Sequence, residues 1–196
     1  MSNAIIYVHG KGGSAAEATR FRPLFPDIPV EGFDYRATTP WEAKEEFPAY
    51  FEAMKAKYGS CSLIANSIGA FFAMTAGVDR LIESASFISP VTDMERLITD
   101  MMTWAGVSEE RLQTEKEIPT DFGETLSWEY LCYVRTHPVR WNAPTRILYG
   151  EQDALIPFET VSAFARATGG ALDVMPGGEH WFHTEEQLRY LDRWLR

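Results

Sequence analysis

The chain has 196 residues, 45% of them hydrophobic and 23% charged, and a formal net charge of −10. A chain of this size can bury a core as one domain without disulfides. So acidic a balance excludes a phosphate-backbone partner, which needs a clustered basic face. The two cysteines, Cys61 and Cys132, stand in apolar contexts. The opening MSNAIIYVHG has no charged stretch followed by a long apolar one, and no apolar run of roughly 18 residues occurs. The expectation is a cytoplasmic monomer or small homo-oligomer with no membrane span.

Residues 4–8, AIIYV, read as a buried strand ending at His9-Gly10, and residues 29–33 as a weaker one. Thr39-Pro40-Trp41-Glu42 has the form of a capping box with proline at the first helical position. The helix it opens sets Phe47, Tyr50, Phe51, Met54 and Tyr58 on one face, with Pro48 expected to kink it. A strand at 62–65 leads into a helix at 68–76 that Gly77 can end. Another strand, 84–88, closes at Ser89-Pro90.

Residues 91–142 break this alternation. They hold polar, helix-like pieces with Met101, Met102, Trp104, Trp128, Tyr130 and Tyr133, and no convincing strand. The alternation resumes with a strand at 145–149, a helix at 157–168 ended by Gly169-Gly170, and a strand at 171–175. The capping box Thr184-Glu185-Glu186-Gln187 opens a last helix whose Leu188, Leu191 and Leu195 face inward.

Apolar strands alternating with amphipathic helices imply an α/β chain with a three-layer, doubly wound, mostly or all parallel sheet. Residues 1–196 then form one domain, with 91–142 as a helical cap inserted at the carboxyl end of a strand. Ligands of such sheets bind beyond the strands' carboxyl ends, so the insertion is expected over the site.

The candidate site residues fall at those ends. In Ala65-Asn66-Ser67-Ile68-Gly69 an apolar strand turns within about two residues into an apolar helix, with small residues two positions either side of Ser67. Ser67 also sits where unpaired amides and the helix dipole favour negative charge. A serine that merely caps a helix would look similar. Tyr149-Gly150-Glu151-Gln152-Asp153 follows another strand and offers a carboxylate; Asp93 is a rival. Pro176-Gly177-Gly178-Glu179-His180 follows the last strand, with His183 just beyond it, before the Thr184 cap. His137, next to Pro138 in the insertion, reads as structural. Tyr7-Val8-His9-Gly10-Lys11-Gly12-Gly13-Ser14 is a glycine-rich loop lacking the spacing of a phosphate cradle or a dinucleotide fingerprint.

These motifs, in this order, resemble those of the α/β-hydrolase superfamily over nearly the whole chain, with Ala65 in place of the first glycine of G-x-S-x-G. The family's first two strands are missing before Ala4, so the resemblance implies a compact sheet of about six strands. It further implies Ser67 as nucleophile, Asp153 as the acid and His180 as the base. The backbone N–H groups of Lys11 and Ile68 become the oxyanion hole, and His9 holds the loop. The expected activity is hydrolysis of a carboxylic ester or thioester of a small, apolar acyl substrate. Amidase, peptidase or acyltransferase activity with the same triad, or a non-catalytic binding protein, are the alternatives. No cofactor and no metal are expected. Met101, Trp104 and Trp128 are candidate substrate-binding residues, although apolar residues at helical spacing are more often simply core.

Overall fold

A computed structural model describes residues 3–196. The chain forms two compact units, one made by Arg140–Arg196 together with the chain up to Thr92, the other by Asp93–Val139. In chain order the elements are β1 (Asn3–Val8), β2 (Val30–Gly32), α1 (Pro40–Tyr58), β3 (Ser60–Asn66), α2 (Ile68–Thr75), β4 (Ala85–Ile88), α3 (Met94–Trp104), α4 (Glu109–Glu115), β5 (Glu117–Pro119), β6 (Thr125–Ser127), α5 (Trp128–Thr136), β7 (Thr145–Gly150), α6 (Phe158–Thr168), β8 (Ala171–Met175) and α7 (Glu185–Leu195).

The first unit is built on a six-stranded sheet in the order β2-β1-β3-β4-β7-β8. Every neighbouring pair in it is parallel. Its central strands are nearly continuous apolar runs because both faces are covered: Ala4, Ile6, Leu63, Ala65, Phe87 and Ile147 are all buried. One face packs Ile5, Ile64, Ile88 and Leu148 against Phe21, Leu191 and Leu195.

The capping boxes at Thr39 and Thr184 are formed. Pro48 lies inside α1, at the position where the sequence suggests a kink. One lost backbone bond is outweighed there by Phe47 and Phe51, both fully buried on either side of it. At the other end of the sheet, Arg146 of β7 donates to the carbonyls of Trp194 and Leu195, both at 2.6 Å. It thereby satisfies acceptors that the end of α7 leaves open.

The second unit departs from the helices-only expectation. β5 and β6 form an antiparallel hairpin, with Ile118 opposite Leu126. Arg135 of α5 joins the helices of this unit, reaching Glu95 of α3 at 2.8 Å and Glu109 of α4 at 2.6 Å. Among the described residues no helix is long and apolar enough to cross a membrane.

Candidate active site

Ser67 stands between the end of β3 and the start of α2 with φ 50° and ψ −119°. A non-glycine residue at positive φ is strained, and the strain is held by bonds on both sides. The Ser67 N–H donates to Ile88 O at 3.0 Å, and its carbonyl accepts from Val91 N at 3.2 Å. The turn can be this tight because Gly69 has no side chain: a Cβ there would lie 2.3 Å from His9 O.

The Ser67 hydroxyl is 2.9 Å from His180 Nε2. On the far side of the ring, His180 Nδ1 is 2.7 Å from Asp153 Oδ2. An ionised carboxylate can only accept, so the ring proton sits on Nδ1 and Nε2 is left to accept from the serine. Asp153 is fixed in turn. Its side chain is 0% exposed, and Oδ1 accepts from the N–H groups of Leu155 and Ile156, each at 2.9 Å.

Both loops are tied to each other. Gln152 N donates to Gly178 O at 2.7 Å, and Glu151 N to Met175 O at 3.0 Å. At Gly150 a Cβ would come within 2.5 Å of Glu179 O and 2.6 Å of Gly178 O. Only glycine lets the acid loop lie this close to the histidine loop.

The remaining residues have the following surroundings. Asp93 caps α3, accepting from Arg96 N at 2.9 Å. His183 Nδ1 bonds Trp181 O at 2.8 Å and lies 3.4 Å from Glu179. His137 stacks on Tyr133 with ring centroids 4.0 Å apart. Ser89 is fully buried at φ 43°. Lys11 is exposed in the turn after β1, and Ile68 is the first residue of α2. In the second unit Met101 and Trp128 are half-buried, while Trp104 is 52% exposed and meets Phe122 edge-on.

His9 bonds Gly10 O through Nδ1 at 2.8 Å, and its ring stacks on Tyr35 with centroids 4.3 Å apart. Tyr35 also donates to His9 O at 2.9 Å. Nothing in the sequence marks Tyr35 for this task. Glu17 takes a similar supporting position. Its carboxylate accepts from Tyr7 OH at 2.6 Å and from Ser14 N at 3.1 Å, pinning the glycine-rich loop to β1. Here a signal existed, since Ser14-Ala15-Ala16-Glu17 has capping-box spacing.

Comparison with solved structures identifies the fold. The chain is similar to mouse alpha/beta hydrolase domain-containing protein 10, with a TM-score of 0.75 and 15% identity over 98% of this chain and 87% of that one. It is similar to the monoacylglycerol lipase of Paleococcus ferrophilus (TM-score 0.65, 16% identity, 100% and 96% covered). Carboxylesterase CesB of Bacillus subtilis also matches (TM-score 0.63, 13% identity, 99% and 82% covered). The protein therefore has the α/β-hydrolase fold. No family model and no curated sequence matches it.

Proposed function

We propose that the protein is a serine hydrolase that cleaves a carboxylic ester or thioester of a small, apolar acyl group through an acyl-enzyme on Ser67. The observation that carries this reading is the hydrogen-bonded chain from Ser67 through His180 to Asp153, with the serine on a strained corner. The solved structures of the same fold include a carboxylesterase and a monoacylglycerol lipase.

A serine hydroxyl is a weak nucleophile until a base takes its proton. In the proposed reaction Ser67 Oγ attacks the acyl carbon while its proton passes to His180 Nε2. Asp153 holds the ring in the tautomer that can accept it and stabilises the imidazolium. The N–H groups of Lys11 and Ile68 receive the oxyanion, each donor contributing about 3 kcal/mol. His180 then returns the proton to the leaving oxygen or sulfur as its bond to the acyl carbon breaks. Water, deprotonated by the same imidazole, releases the acid.

The test is a fluorophosphonate probe together with p-nitrophenyl butyrate. The wild-type protein is expected to be labelled and active, and Ser67→Ala to melt normally yet show neither property. Labelling that survives in Ser67→Ala would move the nucleophile elsewhere. A well-folded wild type that takes no probe would make the chain a binding protein on a hydrolase scaffold.

A further inference from the structure

One concavity is lined by the residues that adjoin Ser67 and His180 in the chain, and nothing in the mechanism above uses it. It encloses about 340 Å³ and is walled by the ends of three strands, at Tyr7, Asn66 and Ile88, and by Trp181, Phe182 and His183 of the histidine loop. Asn66 immediately precedes Ser67, and Trp181 immediately follows His180. This placement matters because, in the proposed reaction, the leaving oxygen takes its proton from His180, whose chain neighbours line this pocket.

The polar groups of the pocket are mixed in sign. Glu17 contributes a carboxylate, with Tyr7 OH and Ser14 N as its donors. Burial, and next Glu17 itself, raise the Tyr7 pKa, so the phenol stays a neutral donor. Arg20 also lines the pocket, and its guanidinium is paired with Asp192 at 2.5 Å. An anion would meet the Glu17 carboxylate, while the Arg20 charge is already offset by Asp192. A neutral hydroxyl, which donates to the one and accepts from the other or from the Asn66 amide, is opposed by neither. The lining also includes the apolar Phe21, Ile88 and Leu191. At the rim the Trp181 indole is 70% exposed and stacks on His183. A flat aromatic surface of that kind suits the C–H face of a polyol or sugar.

We infer that this pocket receives the alcohol portion of the substrate and that this alcohol is a neutral, polyhydroxylated one. The inference rests on the hydrolase reading above and adds the leaving group to it.

The experiment holds the acyl group fixed and varies the alcohol. Wild-type kcat/KM is measured on 1-butyrylglycerol and 6-O-butyrylglucose against propyl butyrate, with fluorophosphonate labelling in parallel. At least one hydroxylated ester is expected to be favoured over propyl butyrate by about tenfold or more, roughly the worth of one or two well-made hydrogen bonds. Whichever of the two leads distinguishes an open-chain polyol from a sugar ring. Glu17→Gln and Trp181→Ala are each expected to bring that ratio down several-fold. Trp181 is so exposed that its loss should not disturb folding, and a melting curve checks this for Glu17→Gln. Labelled, active enzyme with equal kcat/KM on all three esters overturns the inference and leaves the hydrolase reading standing. A ratio that neither variant changes also overturns it. Absence of both labelling and turnover overturns the hydrolase reading and the alcohol site with it.

Discussion

Ser67 keeps a backbone conformation that costs about 1–3 kcal/mol, and the neighbours that hold it there also decide which residues around it should matter. His180 and His183 lie three positions apart, but only His180 is hydrogen-bonded to both Ser67 and Asp153. His180→Ala should abolish esterase turnover and His183→Ala should retain most of it; the reverse result would transfer the base to His183. The two aspartates separate in the same way. Asp153→Asn should lower kcat on the order of 10³–10⁴-fold, because an amide in that place favours the wrong imidazole tautomer. Asp93→Asn should be nearly silent, since asparagine caps a helix as well as aspartate does. Equal effects in the two variants would leave the orienting group unidentified. These residues could be read from sequence because each lies in a short stretch with its own local logic: a serine between small residues, an acid after Tyr149-Gly150, a histidine after Gly177-Gly178. Tyr35 and its stack on His9 could not be read, because that contact depends on how the segment after β2 returns across the sheet.

At the level of elements, the closest fit in the site is between two loops. Gly150→Ala would force a methyl against the carbonyls of Gly178 and Glu179, an overpacking that typically costs about 1–3 kcal/mol. It should also pull Asp153 away from His180. The variant should therefore melt earlier and lose kcat more than it gains KM. A variant that loses stability and keeps full kcat would show that the two loops can separate without disturbing the imidazole. The strands and helices of the first unit were legible from alternating periods and capping boxes. The hairpin β5–β6 was not, for a physical reason: each strand is three residues long and carries one buried apolar side chain, Ile118 or Leu126. A period of two cannot be detected in so short a run.

For the whole molecule, alkaline pH should be a weak point. Burial first, then the charges of Asp153 and Glu159, push the Tyr149 pKa from its ordinary 10.0 up to about 12. Burial also raises those of Tyr7, Tyr35 and Tyr50. The unfolded chain then loses these protons first. Stability should be complete below the ordinary value of 10.0 and fall as pH rises toward and through the folded value. Urea midpoints measured from roughly pH 9 to pH 12 should decline, and Tyr149→Phe should flatten that slope. An unchanged slope in that variant would locate the sensitivity in the other tyrosines. The second unit is the other large-scale question. The sequence offers Met101, Trp104 and Trp128 as candidate substrate-binding residues, and we propose that they read the acyl chain. Trp104→Ala and Trp128→Ala should then reorder short against medium acyl esters by about 1–3 kcal/mol of discrimination. Lower melting temperatures with the wild-type order intact would make these residues scaffold. Finally, Ser67 and His180 are 113 positions apart, and the imidazole arrives on the segment between the sheet's last strand and the terminal helix clasped by Arg146. During biosynthesis the serine emerges from the ribosome long before His180 can reach it. On the proposed mechanism, the nascent chain is therefore unreactive until the segment that carries His180 has docked.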